Sequence, residues 1–280
     1  MADPPAPLTI VLTGASAGIG AAAAVELTRR GHSVLGVGRS ATKLAGVHRQ
    51  MRAVARAGLD VPEPEAADFA SLAAVRALAD TVLDRCPRID VLANNAGLIV
   101  PRREESADGF ELIFAVNHLA PFLLTSLLAD RLRTSAGRVV TTSSDAHKRG
   151  SIHEDDLQLQ RWGRWKAYCQ SKLANVLFTS ELARRTGLPA TSFHPGLVRT
   201  EFGRGSFVKV LSNVIRPLYR TPEKGAETLV WLATEPEGGA PTATYYADCA
   251  PGKPTVAVQD TGLARRLWDT SATLVGPAPS

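Results

Sequence analysis

The sequence predicts an α/β fold: a single doubly wound parallel sheet of about seven strands, with helices on both faces. Three observations carry this. Short apolar runs alternate along the chain with longer segments of helical character, the pattern of strands joined by crossover helices. The strand candidates are apolar runs, as expected of a sheet covered on both sides. A glycine-rich turn, Thr13-Gly14-Ala15-Ser16-Ala17-Gly18-Ile19-Gly20, joins the first of these runs to the first helix. The 280 residues, 45% hydrophobic and 21% charged, are enough to bury a large core in one domain spanning 1–280.

The elements follow in order. Leu8–Leu12 is the first strand, with β-branched Thr9, Ile10 and Val11. Gly18–Arg30 is a helix closed by Gly31 at C′. Ser33–Val37 is the second strand, and Ser40–Ala57 a helix with Ser40 as N-cap. The third strand is poorly written, because Val61-Pro62-Glu63-Pro64-Glu65 holds two residues without an N–H; it is placed at Glu65–Ala67. Ser71–Cys86 is helical, Ile89–Ala93 a strand, Asp108–Arg133 a long helical region and Arg138–Thr142 a strand. Trp165–Arg185 is a helix with Leu173, Val176, Leu177 and Leu182 near helical spacing. Ala190–Phe193 and Thr244–Ala247 supply the last strands. Between them, Phe202–Arg220 is apolar with interspersed basic residues, either a substrate lid near 202–220 or a helix burying an ordinary amphipathic face. Thr221-Pro222-Glu223 then opens a helix, with Thr as N-cap, Pro at N1 and an acid in the first turn. The proline-rich ends, 1–7 and 276–280, are expected to be disordered.

Bulk properties narrow the function. Three cysteines (Cys86, Cys169, Cys249) without metal-like spacing indicate a reduced, cytoplasmic protein and no metal site. No signal peptide, membrane anchor or membrane-spanning apolar run is read. The net charge of +5 comes from scattered arginines rather than a basic run, so no nucleic-acid partner is expected.

Gly14, Gly18 and Gly20 lie after a strand and open a helix, where glycine permits a tight turn and close approach of a pyrophosphate to the helix N-terminus. The GxxxGxG spacing marks a variant of the Rossmann-type dinucleotide cradle. At the end of the second strand, where an acid would hold ribose hydroxyls, stand Arg39 and, one turn on, Lys43. A guanidinium suits a 2′-phosphate, so NADP(H) is favoured over NAD(H). Tyr168 and Lys172 are four apart on one helix face. A phenol titrates near ~10, and an adjacent ammonium is expected to lower that.

With Asn94-Asn95-Ala96-Gly97 and Ser143-Ser144, these motifs resemble the short-chain dehydrogenase/reductase family from about Leu8 to Val275. The resemblance implies a cofactor turn at Thr13 to Gly20, including Ser16 and Ile19, and a cofactor wall at Asn95, Ala96 and Gly97. It further implies Pro195, Gly196, Val198 and Thr200 beside the nicotinamide, and Asp68 near the adenine. Its catalytic tetrad falls on Asn117, Ser144, Tyr168 and Lys172: Tyr168 as proton donor, Ser144 on the substrate oxygen, Lys172 also on the nicotinamide ribose, and Asn117 anchoring a water-linked proton relay. Ser143 is the competing serine; Ser144 is preferred as the last residue of the Arg138-to-Ser144 run. Ala17 departs from the basic residue of many NADP-preferring relatives, leaving that preference to Arg39 and Lys43.

Within the family, Ala167-Tyr168-Cys169-Gln170-Ser171-Lys172-Leu173-Ala174-Asn175, Ser144-Asp145-Ala146-His147 and the Tyr245-Tyr246-Ala247-Asp248-Cys249 tail resemble the retinol dehydrogenase and WW-domain oxidoreductase branch. The implied function is interconversion of a ketone or aldehyde with its alcohol, on a bulky hydrophobic small molecule. A non-catalytic, cofactor-sensing or scaffold protein of the same fold is the alternative, and dehydration or epimerisation of a nucleotide sugar a second. A homo-oligomer paired through the helices of Asn117 and Tyr168 is expected by the same resemblance. Trp162 and Trp165 either wall the pocket or pack the helix that follows; His147 and His153 are loop histidines near the mouth, and Cys169 a packing residue.

Overall fold

In a computed structural model of the chain, residues 6–198, 220–240 and 243–276 are described. They build one eight-stranded sheet in the order β3-β2-β1-β4-β5-β6-β7-β8. The strands are β1 (Thr9–Thr13), β2 (Ser33–Gly38), β3 (Glu65–Ala66), β4 (Val91–Asn94), β5 (Arg138–Thr142), β6 (Ala190–His194), β7 (Tyr245–Ala247) and β8 (Ala250–Pro251). All neighbours pair parallel except β7 with β8, a short antiparallel edge that the sequence reading of about seven strands did not contain.

Helices cover both faces. On one lie α1 (Gly18–Arg29), α2 (Ala41–Val54) and α7 (Pro222–Thr234), packed around Ile10, Leu12, Val34 and Phe193. On the other lie α3 (Leu72–Arg85), α4 (Leu112–Phe114), α5 (Ala120–Thr134), α6 (Arg164–Thr186) and α8 (Thr261–Val275), around Val11, Leu35, Leu92 and Val139. Neighbouring positions of β1, Ile10 and Val11, thus face opposite cores, which is why the strand reads as a continuous apolar run.

The starts of three helices are set by the expected side chains: Ser40 accepts from the Lys43 N–H, Ser71 from Ala74 and Thr221 from Lys224, each at 3.3 Å. The two prolines shorten β3 to two residues. Strand β4 begins at Val91 rather than Ile89, because the Ile89 N–H is taken by the Ser135 hydroxyl at 3.0 Å. Helix α2 stops at Val54, where Ala55 turns extended. The final helix α8 was not foreseen; Asp260 caps it by accepting from the Leu263 N–H at 2.9 Å.

The long helical region corrects one expectation. Leu112–Thr134 is long and apolar enough to cross a membrane by length and composition, although no such run was read. In the fold 83% of its most apolar window is buried inside the protein, so here it acts as a core helix. It is also not uniform: between α4 and α5 the residues Ala115–Leu119 form a π turn. Pro121, lacking an N–H, cannot donate to the Asn117 carbonyl four residues before it, and the ladder widens at that point. The lid expected near 202–220, except Arg220, lies outside the described residues, as do Thr200 and most of the two ends.

Candidate active site

The strand order reverses between β1 and β4, and open α/β sheets bind ligands in the crevice beyond the strand ends at such a switch point. The turn after β1 and the segment after β4 meet there. Thr13 Oγ1 accepts the N–H groups of Asn95 (2.9 Å) and Ala96 (3.0 Å), and the Asn95 side chain donates to the Thr13 carbonyl at 3.0 Å. Thr142, at the end of β5, donates to Asn95 Oδ1 at 3.2 Å, so one amide ties three strand ends together. Gly14 has φ +71°, and a Cβ there would lie 2.9 Å from Ala96 Cα. A Cβ on Gly20 would collide with the Gly14 carbonyl oxygen and stand 2.6 Å from the Asn95 amide.

Helix α1 therefore begins against bare backbone. Its N-cap, Ala17, has no capping side chain, and the first turn carries no acid, so N–H groups at Gly18, Ile19 and Gly20 remain for an anion. Ser16 stands over the end of β2, 3.1 Å from a Cβ built on Gly38. Arg39 and Lys43 follow, both exposed. Asp68 lies just past β3, exposed, its carboxylate accepting from the Ala70 N–H at 3.0 Å. The β3 register, Gly38 opposite Ala66, brings Asp68 to the same rim as Arg39.

On the β5–α6 side the tetrad candidates converge. The Ser144 side chain interacts with the Tyr168 phenol. Lys172, 3% exposed, donates to the Thr142 carbonyl at 3.2 Å and lies 5.7 Å from the Tyr168 ring centre. Asn117 clamps Leu98 from both sides, accepting its N–H at 2.7 Å and donating to its carbonyl at 3.0 Å, and also donates to Ser171 Oγ at 3.0 Å. A Cβ on Gly97 would stand 3.2 Å from Asn117 and 3.6 Å from Lys172 Nζ, so the cofactor wall and the tetrad are contiguous. The two serines separate: Ser143 is buried and donates to the Lys172 carbonyl at 2.8 Å, whereas Ser144 is partly exposed and faces the phenol.

A cradle at the switch point joined to a Ser–Tyr–Lys cluster has counterparts among known proteins. The family model described as short chain dehydrogenase matches residues 8–209. The chain belongs to the short-chain dehydrogenase family. It is 44% identical over 273 residues to a candidate daunorubicin C-13 ketoreductase of Streptomyces sp. (strain C5), covering 96% of this chain and 92% of that protein. Human retinol dehydrogenase 14 (Homo sapiens) is 40% identical over 292 residues, covering 96% of this chain and 86% of that protein. A solved structure of a Mycobacterium paratuberculosis protein superposes with a TM-score of 0.77 at 33% identity, covering 98% of this chain and 96% of the other. The dehydrogenase is thus an oxidoreductase of the carbonyl/alcohol couple, uses a nicotinamide cofactor and falls in the retinol dehydrogenase-like branch.

One electrostatic expectation needs correcting. Burial pushes the Tyr168 phenol up to about 12, and the Ser144 side chain only partly opposes this. Lys172 is itself pulled down by burial to about 8. Burial thus outweighs the lowering that the four-residue spacing to the ammonium suggested.

Other residues of the site were missed in sequence. Gly225 of α7 meets Val198, and a Cβ there would collide with it and lie 3.1 Å from Ile19, so glycine lets the segment after β6 sit on α1. Gly196 (φ +84°) is covered by Arg220, whose guanidinium pairs with Asp248. Pro195 and Gly196 are partly exposed just past the end of β6. His147 is fully buried rather than a free loop residue. Its Nδ1 lies 2.7 Å from the Ser144 carbonyl and its Nε2 accepts the Thr255 N–H at 3.2 Å, which fixes a neutral ring protonated at Nδ1. Its ring packs 4.6 Å from that of Tyr245, whose hydroxyl donates to Asp145 at 2.9 Å. The signal for this bracing was the Ser144-to-His147 run, read only as a resemblance. Cys169 is buried packing, as expected.

Proposed function

We propose that this dehydrogenase is an NADP(H)-dependent enzyme interconverting a hydrophobic ketone or aldehyde with its alcohol, with Tyr168 as general acid–base. The observation that carries the reading is the convergence of the Ser144 hydroxyl and the Tyr168 phenol beside buried Lys172, next to the glycine cradle. A hydroxyl pair of this kind fits one substrate oxygen: Tyr168 delivers or removes its proton, and Ser144 stabilises the charge that develops there. Lys172 supplies the positive charge that steadies the phenolate formed on proton donation. A bound nicotinamide nucleotide supplies the hydride.

The residues present fit such a nucleotide. Gly14, Ser16, Gly18, Ile19 and Gly20 would hold its pyrophosphate, Arg39 and Lys43 a 2′-phosphate, and Asp68 the adenine end. Asn95, Ala96, Gly97, Pro195, Gly196 and Val198 would border the nicotinamide half, with Tyr168 and Lys172 at its ribose. The named relatives support the reaction class, since their names refer to the C-13 ketone of daunorubicin and to retinol.

The test is fluorescence titration with NADPH and NADH, followed by a panel of hydrophobic ketones and aldehydes. NADPH is expected to bind more tightly and to be consumed. In Arg39→Asp the preference should move toward NADH, by about tenfold or more if one charge-assisted phosphate contact is lost. An unchanged ratio would remove Arg39 from the phosphate site. Tight binding with no turnover on the panel would favour the non-catalytic, cofactor-sensing alternative.

A further inference from the structure

We propose that Trp165 and Trp162 form an aromatic shelf beside the proton donor that binds a flat ring system attached to the reacting carbonyl, making aryl ketones and aldehydes the preferred substrates. The inference rests on the carbonyl-reducing reading above and names the substrate class for the same site.

Trp165 lies three residues before Tyr168 on α6, hence on the same helix face. Its ring centre is 5.6 Å from that of Tyr168, at an interplanar angle of 33°. The indole is nevertheless 52% exposed, one of three large hydrophobic side chains so exposed among the described residues. An apolar ring left half in water next to the candidate proton donor is placed to be covered by what reacts there.

Trp162 is anchored from behind. Its indole N–H donates to Glu111 Oε1 at 3.1 Å, and the other oxygen of that fully buried carboxylate accepts the Phe114 N–H at 2.7 Å. With its one polar atom satisfied inward, Trp162 contributes ring surface only. It belongs to a small apolar cluster with Leu98, Ile99, Val100, Leu159 and Tyr168. Residues 98–101 are tied at both ends, Leu98 by its two hydrogen bonds with Asn117 and Pro101 by a 3.2 Å hydrogen bond from Arg164 at the start of α6.

A shelf made of the anchored Trp162 indole and the Trp165 ring lying against Tyr168 selects for shape as well as for apolarity. Offset ring contacts add to area burial only for a partner that is itself flat. A flexible alkyl chain gains no such contact and loses rotamer freedom on ordering. In an aryl ketone the carbonyl lies in the plane of its ring, so a ring resting on Trp165 carries its oxygen toward the Ser144–Tyr168 pair.

The experiment compares 2-acetylnaphthalene with 2-octanone, measuring kcat/KM with NADPH and, by equilibrium dialysis, the Kd of 2-acetylnaphthalene. Trp165→Leu keeps apolar bulk and removes the aromatic face; Trp165→Phe keeps a face. The ratio of kcat/KM for the aryl over the alkyl ketone should fall about three- to tenfold in the Leu variant, through KM, and be largely restored in the Phe variant. The Kd of 2-acetylnaphthalene should rise by the same factor. Turnover of both ketones with an unmoved ratio, or equal loss in the Leu and Phe variants, would overturn the shelf alone. Aryl-ketone binding that weakens in the Leu variant without any turnover would support the shelf and count against the proposed activity.

Discussion

Lys172 enters a folded protein at a cost, because its ammonium is buried against the Thr142 carbonyl and the Tyr168 ring with no carboxylate partner among the described residues. Burial pulls it down to about 8, so it carries its charge below that pH and loses it above. Ketone reduction should therefore decline as pH rises through about 8, as the phenolate formed at Tyr168 loses its stabilising charge. Lys172→Arg, whose guanidinium stays protonated, should shift that falling limb upward in a kcat-against-pH profile. A limb at the same pH in both proteins would mean another group titrates there. At this scale the proximity of Tyr168 and Lys172 was legible from their four-residue spacing. Their acidities were not, since burial sets them and burial is a property of the assembled fold. The Ser143 hydroxyl is engaged by the Lys172 carbonyl 29 residues away, a contact that no local sequence pattern reveals.

Two local elements shape the site. The π turn at Ala115–Leu119 places Asn117 against Leu98, and Pro121 is its sequence signature. The second element is the short helical turn Asp145–Arg149, pinned by His147 to Thr255 on one side and to the Ser144 carbonyl on the other. His147→Leu removes both bonds, and kcat should fall about ten- to hundredfold through misplacement of Ser144, with the Kd for NADPH preserved. Full kcat in a folded His147→Leu protein would show that the brace does not matter to the chemistry. A third prediction concerns the cradle: Gly20→Ala puts a Cβ into the Gly14 carbonyl, and NADPH binding by titration should be lost or sharply weakened. Retention of wild-type affinity would mean that the turn relaxes without consequence. The strands and helices with clean periodicity and caps, such as α2 behind Ser40 and α7 behind Thr221, were legible to within a few residues. The edge strand β8 and the cap of α8 were not, because two residues of strand carry no periodicity and α8 is held by packing on α5 and α6.

Across the whole molecule, that packing gathers around His118. Its ring sits among Phe114, Phe122 and Phe178, its Nε2 is 2.9 Å from Ser271 Oγ of α8, and Trp268 stacks on Phe178. Burial holds His118 down at about 4, below the 6.5 of an exposed imidazole. The folded state thus binds fewer protons than the unfolded one between these values, so stability rises with pH through that window and is lost on acidification from 6.5 toward 4. The contribution is about 3 kcal/mol, visible as an acid limb in the urea midpoint that should flatten in His118→Gln. An identical limb in the variant would assign the loss to other groups. Helix α8 packs on α5 and α6 through Trp268, which contacts Phe122 and Phe178. The central claim is the chemistry at Tyr168, and its most direct test is NADPH-dependent reduction of a hydrophobic ketone by wild-type protein and Tyr168→Phe, with NADPH affinity measured on both. Turnover should fall about 10²- to 10⁴-fold while NADPH still binds. Turnover retained in the phenylalanine variant would contradict the account.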